Sequence, residues 1–157
     1  AELGRFCVDP EVMDPDVLRL AWAALTRIVD DERIGLLFGC SSFSGVDPKA
    51  YGCAFRHLWE KSRAPARWRP EPRAPETISL AEAAQAPGDR LALMQLPPLL
   101  RSYLAMGGWV SDHAVIDRNL GTIHVFTGVE IARIPPARKG LLRALSLPGL
   151  AVSKAAQ

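Results

Sequence analysis

The chain predicts an α/β (α+β) fold in which helices layer against a sheet, and three features carry that expectation. A strand-like apolar run followed by a helical one occurs twice in succession, over residues 2–29 and 35–62. Two further strand-like runs, joined by a polar turn, follow at residues 109–128. With 157 residues, 48% of them hydrophobic, the chain can bury one real core.

The first run, Glu2 to Val8, holds Leu3, Phe6, Cys7 and Val8 and stops at Asp9-Pro10. Asp14 then caps a helix that Pro15 opens: the carboxylate accepts from a free amide of the first turn, and Pro15 has no N–H to satisfy. Val17, Leu18, Ala21, Trp22, Leu25, Ile28 and Val29 recur at helical spacing, and Asp30-Asp31-Glu32-Arg33 ends the helix in solvent. Gly35 to Phe43 reads as a buried strand. Asp47-Pro48 repeats the cap signal and opens a helix to about Ser62, with Tyr51, Ala54, Phe55, Leu58 and Trp59 inward. From Arg63 to about Asp89 the regularity breaks, because Pro65, Pro70, Pro72, Pro75 and Pro87 forbid a long helix or a central strand. A short helix at Leu80 to Ala86 is expected inside this stretch. Pro97 opens an amphipathic helix that Gly107-Gly108 terminates. Trp109 to Ile116 and Gly121 to Gly128 read as strands joined by Asp117-Arg118-Asn119, a last helix runs from about Pro136 to Leu145, and a tail follows from Pro148.

Composition excludes several classes. At 23% charged residues and a net charge of +2, the chain is neither disordered nor basic enough to select a partner by charge. Three cysteines, Cys7, Cys40 and Cys53, are an odd number without a Cys-x-x-Cys pair; they read as reduced, buried thiols rather than a disulfide framework or a metal site. No apolar run approaches the roughly 18 residues a membrane-spanning helix needs, and no basic, apolar and small-residue succession marks a signal peptide; the reduced cysteines point to a cytoplasmic setting. Because the chain opens with Ala1 on what already reads as a strand, an amino-terminal part is expected to be missing from this numbering.

Several strings resemble a known family. Glu2-Leu3-Gly4-Arg5-Phe6-Cys7-Val8-Asp9-Pro10, Leu37-Phe38-Gly39-Cys40-Ser41-Ser42-Phe43 with Asp47-Pro48 behind it, Leu96-Pro97-Pro98-Leu99-Leu100-Arg101-Ser102-Tyr103-Leu104 and Gly107-Gly108-Trp109-Val110 resemble, in order, segments of the ornithine lipid N-acyltransferases. Asp117, Thr122, Val125 and Phe126 continue the pattern. The family shares the fold of acyl-homoserine-lactone synthases, whose signature Glu2-x-x-Arg5-Phe6 is similar to, with Gly4 in place of Ser. Departures are His124, where the family more often has Asp, Leu120, where it has Phe, and Phe6, where it tends to have Ser. The resemblance implies a GNAT-like, autoinducer-synthase-like three-layer sandwich with a mixed sheet, here lacking its amino-terminal strands. The matching segments cover most of residues 1–135, and residues 1–147 are expected to form the carboxy-terminal part of an acyltransferase domain, with a Pro/Arg-rich excursion at 63–89 and a tail at 148–157.

The implied activity is N-acyl transfer: a (3-hydroxy)fatty acyl group passes from an acyl carrier protein thioester to the α-amine of ornithine or a similar amino acid, without a covalent acyl-enzyme, cofactor or metal. The amine must shed a proton, so a carboxylate at the site is useful; Glu2 is the candidate. Arg5 is suited to holding a substrate carboxylate or to pairing with Glu2. Backbone amides of the Glu2–Val8 run are the expected oxyanion donors, and the resemblance places the pantetheine arm between this run and the Gly35–Phe43 strand, against Phe6, Cys7, Val8, Phe38, Cys40, Ser41 and Ser42. The loop from Asp9 to Asp16 carries four carboxylates (Asp9, Glu11, Asp14, Asp16) and no Gly, Lys or Arg, where a CoA-dependent enzyme would cradle pyrophosphate at a helix N-terminus. That charge disfavours CoA and favours a carrier protein, which would dock on Arg133, Arg138, Lys139 and Arg143 or on Arg63, Arg67, Arg69 and Arg73. Peripheral contact with the inner face of the membrane fits a lipid product.

Other readings stand beside this one. An autoinducer synthase would use the same fold. Cys40-Ser41-Ser42 with His57, His113 or His124 as base would make a covalent hydrolase, but the Gly-x-Ser-x-Gly elbow is absent. Arg63, Arg67, Trp68, Arg69 and Arg73 interleave cations with an aromatic, as nucleic-acid binders do, although the prolines favour a surface loop, and no nucleic-acid partner is expected. A remnant lacking turnover would retain an acyl-binding face or self-associate through an exposed sheet edge.

Overall fold

The computed structural model describes residues 1–4, 11, 15–84 and 89–146. Helix α1 (Pro15–Asp31) leads to strand β1 (Leu36–Ser44), and a 3-10 turn at Pro48–Tyr51 runs into α2 (Gly52–Lys61). The excursion holds a second 3-10 turn at Ala66–Trp68, strand β2 (Thr77–Ser79) and a single helical turn α3 (Leu80–Ala83). Helices α4 (Asp89–Gln95) and α5 (Pro98–Ala105) precede β3 (Trp109–Val110), β4 (His113–Asp117), β5 (Thr122–Glu130) and α6 (Pro136–Ser146).

The named strands pair antiparallel in the order β1-β5-β4-β2, with β3 also on β5. The sheet is nevertheless mixed. Glu2 bridges Phe38 in parallel, and Arg63 bridges Val110 in parallel. Around Glu2, Leu3 N–H donates to Phe38 O at 2.7 Å, Phe38 N–H to Ala1 O at 3.0 Å and the Ala1 ammonium to Leu36 O at 2.7 Å. Helix α1 therefore crosses between two parallel neighbours, as the strand-helix-strand order predicts. The two backbones approach so closely that a Cβ on Gly39 would sit 2.5 Å from Leu3 O.

Period-two alternation assigns each strand residue to a face. Leu37, Phe43, Ile123, Val125, Val129, Val110 and Ala114 are buried on one face. Part of that face packs with Phe55 and Leu58 of α2, Leu80 and Leu100 into one cluster. The rest meets Trp22 of α1, Tyr103 of α5 with Met106 just after it, and Leu142 of α6 in a second. All described helices thus lie on this face, and the opposite one is roofed by the arm that runs from Pro65 to Ala74. That arrangement is an α+β sandwich of the GNAT-like kind, with two helix–sheet layers and an irregular third.

Local signals explain most boundaries. Asp47 Oδ1 accepts from Lys49 N–H at 3.0 Å, so the Asp47-Pro48 cap is real, though the first turn is 3-10. Gln95 stitches the 3-10 to α2 junction, accepting from Ala54 N–H at 3.0 Å and donating to Ala50 O at 2.8 Å. Gly107, at φ 81°, takes the left-handed conformation that ends α5. Asp117 Oδ1 accepts from the amides of Asn119 and Leu120, both at 2.9 Å, and so shapes the hairpin turn.

Three expectations need correction. The helix expected over 80–86 stops at Ala83, and α4 forms where no element is expected. Trp109 to Ile116 is two strands. Val110 faces Thr127 and Val115 faces His124, so the four residues Ser111 to Ala114 face only Val125 and Phe126 of β5, an excess of two. The Ser111 hydroxyl bridges the break: it accepts from Phe126 N–H at 3.1 Å and donates to His113 O at 2.7 Å. Lastly, Cys40 is exposed and Cys53 half-buried, and neither forms a disulfide; neither is a fully buried thiol.

Candidate functional site

The face opposite the helices carries the polar chemistry, laid out in rows by the register. Glu2, Phe38, Gly128 and Trp109 are neighbours across the first row. Cys40, Phe126 and Ser111 form the second. Ser42, His124, Val115 and Thr77 form the third. Trp109 reaches over Gly128, where a Cβ would collide with its ring, and stacks against Phe126 at 6.0 Å between centroids. Phe126 meets Phe38 at 5.7 Å. These three rings make an apolar ridge beside Glu2.

Over the second and third rows the arm closes an open cleft of about 690 Å³. Its floor is Cys40, Phe126, His124 and His113, and its roof includes Arg69, Glu71 and Arg73. The break between β3 and β4 positions the roof. Asp112, displaced from the ladder, lies 3.0 Å from His113 Nδ1 and 3.9 Å from Arg69 Nε. Arg69 also donates to Ala64 O at 3.3 Å. Farther along, Arg67 pairs with Glu130 at 2.5 Å. That guanidinium, helped by Trp68 and Arg133, holds the Glu130 carboxyl below the usual range. Arg67 and Arg69 therefore tie the amino-terminal half of the arm to the sheet by ion pairs.

Of the residues singled out from the sequence, Glu2, Phe38, Cys40 and Ser42 share this face. Ser41 does not: it is buried on the helix side, where its hydroxyl accepts from Thr127 Oγ1 at 3.1 Å. Desolvation of the thiol, and then the Glu2 carboxylate, push Cys40 above its ordinary pKa. A raised thiol pKa disfavours the thiolate nucleophile, which weighs against the covalent reading. Arg5, Phe6, Cys7 and Val8 lie outside the described residues, as does most of the acidic loop, of which Glu11, Pro15 and Asp16 are described.

The basic residues proposed for docking divide in two. Arg143 is held bidentately by Asp30 at 2.8 and 2.7 Å, tying α6 to α1, and Arg133 lies 3.6 Å from Glu130. Arg138 is exposed on α6, and Lys139 is half-buried beside Asp30. Arg138 and Arg101 flank an open apolar groove of about 640 Å³ between α5 and α6, lined by Trp22, Met106, Leu141 and Leu145. Among the described residues no group of His, Cys, Asp and Glu could hold a metal ion, and no helix is long and apolar enough to cross a membrane.

Sequence reasoning misses the cleft itself. In the sequence Arg69 and Arg73 are only members of a basic, proline-rich stretch, and nothing local says that the stretch folds back over His113 and His124.

Comparison with known proteins gives three informative matches. The chain is 35% identical over 135 residues to an L-ornithine N(alpha)-acyltransferase of Brucella abortus (strain 2308), covering 85% of this chain and 48% of that relative. It is 33% identical over 135 residues to one of Rhizobium meliloti (strain 1021), covering 85% and 45%. It is 36% identical over 124 residues to one of Rhodobacter capsulatus, covering 79% and 48%. The resemblance read from the residue strings is thus a homology that spans most of this chain and just under half the length of the curated relatives it matches. No family model matches, and no solved structure does.

Proposed function

We propose that this chain, a homologue of the L-ornithine N(alpha)-acyltransferases, forms part of an N-acyltransferase that acylates the α-amine of ornithine or a similar amino acid. The observation that carries the reading is the agreement of that homology with the placement of Glu2, a carboxylate at the end of a parallel pairing, beside an apolar ridge and an open cleft. The Glu2 carboxylate takes a proton from the incoming ammonium. The freed amine attacks the thioester carbonyl, a C–N bond forms, the C–S bond breaks, and the thiolate leaves as a thiol, taking up the second proton that the acylated nitrogen sheds. Backbone amides beside Glu2 stabilise the oxyanion, because fixed dipoles act there without reorganising. The rings of Phe38, Phe126 and Trp109 support an acyl chain lying along the ridge.

The donor in this reading is an acyl carrier protein, from the acidic character of residues 9–16 argued above. Of Arg133, Arg138, Lys139 and Arg143, Arg138 is the docking cation that fits best, since Arg133 and Arg143 are engaged with the sheet and with α1 and Lys139 is half-buried beside Asp30. The apolar groove beside Arg138 and Arg101 supports peripheral contact with an anionic membrane surface.

A chimera tests the activity. The matched segment of the Brucella abortus relative is replaced by the corresponding residues of this chain, and acyl-ornithine is measured by mass spectrometry with 3-hydroxyacyl carrier protein and ornithine supplied. Product from the chimera is the expected result. A folded chimera that forms none, where the relative does, overturns the proposal.

A further inference from the structure

We infer that the cleft between the Arg69–Ala74 arm and the open sheet face is the acceptor site, with Arg69 and Arg73 holding the carboxylate of an α-amino acid. The inference rests on the acyltransferase reading for the word acceptor, but the binding site stands on its own geometry. Arg69 is aligned by Asp112 and Ala64 O, which engage its Nε and Nη2 and leave Nη1 for a ligand. Arg73 lines the same cleft and has no ion-pair partner among the described residues. Two planar guanidinium forks on one roof suit a carboxylate or a phosphate.

The charge pattern separates those ligands. Glu71 shares the roof with the arginines, and Asp112 stands beside Arg69 and His113. Such a mixture repels a phosphate dianion more than a zwitterion, and it offers carboxylates to the ammonium groups of a basic amino acid. The floor also has the length for such a ligand: Cys40 and Ser111 both pair with Phe126 and so stand two strand spacings apart, about 10 Å, enough for an extended basic amino acid.

The test titrates the chain with ornithine, putrescine (which lacks the carboxylate) and inorganic phosphate, following the imidazole NMR signals of His113 and His124. Ornithine is expected to shift both, with putrescine and phosphate at least about tenfold weaker. Arg73→Gln, exposed and unpaired, should weaken ornithine by about tenfold and leave putrescine unchanged, and Arg69→Gln should act likewise if its melting temperature matches the wild type. Equal binding of putrescine, preferential binding of phosphate, or ornithine affinity untouched by Arg73→Gln overturns the inference. The acyltransferase reading is scored separately. An active chimera whose ornithine KM ignores Arg73→Gln refutes the cleft alone, whereas ornithine binding in the cleft with an inactive chimera refutes the activity alone.

Discussion

Replacing Gly39 by alanine sets two effects of opposite sign against each other, and the structure decides between them. Gly39 has no positive φ, so alanine is conformationally acceptable there. On chain entropy alone the substitution should stabilise by about 0.4–1 kcal/mol, through the unfolded state. Against this, the new Cβ would lie 2.5 Å from Leu3 O, a backbone atom that cannot rotate away. Reaching ordinary contact means a retreat of about 0.9 Å, which strains or breaks the three hydrogen bonds that hold Ala1 to Leu3 on β1. Overpacking of this kind costs about 1–3 kcal/mol. The clash wins by about 1–2 kcal/mol, a fall in melting temperature of about 2–8 °C for a chain this size.

Gly35 supplies the control, because nothing lies within 4 Å of the position its added methyl would take and its φ is also unexceptional. Gly35→Ala should therefore melt at or a few degrees above the wild type, by about 1–4 °C. Thermal melts of the three proteins, with amide exchange at Leu3 and Phe38, make the comparison. Faster exchange at both amides in Gly39→Ala alone is the expected companion result. A Gly39→Ala protein as stable as Gly35→Ala would refute the close approach of the two strands, and with it the placement of Glu2.

Three more outcomes are expected. Ser111→Ala should destabilise by about 1–3 kcal/mol in urea titrations, because Phe126 N–H and His113 O lose the hydroxyl that serves both; an unchanged midpoint would refute the bridging role. Asp30 is held below its ordinary 3.8, first by its hydrogen bond with Arg143. Its contribution is thus fully present above the unfolded pKa and lost as pH falls through the lower folded value. Wild type should out-melt Asp30→Asn at pH 7, and the gap should close toward pH 2; a gap independent of pH would refute the pairing. In the active chimera, Glu2→Gln should lower turnover by about a hundredfold or more while changing ornithine KM little, and wild-type turnover would end the general-base assignment.

Much of this architecture is legible in the residues because long elements carry periodic apolar patterns. Helix α1, strand β1, α5, β5 and α6 fall where periodicity, prolines and glycines put them. Strand β2 escapes because three residues hold no period and its pairing partner lies far along the chain. Helix α4 escapes for a different reason: it exposes Leu91, Leu93 and Met94 and buries Ala92, so its apolar residues do not mark a face. At the site, Glu2, Phe38, Cys40 and Ser42 could be picked out by type and position. The separation of Ser41 from its neighbours is a matter of strand parity, and the arm over the cleft is a matter of tertiary contact. Neither can be read from local sequence.

The break between β3 and β4 explains both what the sequence concealed and how the sheet keeps its two faces distinct. A bulge of one residue would move every later side chain to the opposite face. Here the excess is two residues within Ser111 to Ala114, so alternation continues in phase across it. Val110 before the break and Ala114 after it both enter the helix-side core, while Trp109, His113 and Val115 all face the other way. An even bulge leaves no trace in a hydrophobic pattern, which is why Trp109 to Ile116 reads as one strand. Its consequence is chemical: Asp112 leaves the ladder and is free to orient His113 and Arg69 at the mouth of the cleft. The sheet thus gains a polar anchor for the arm without disturbing the apolar face that holds the helices.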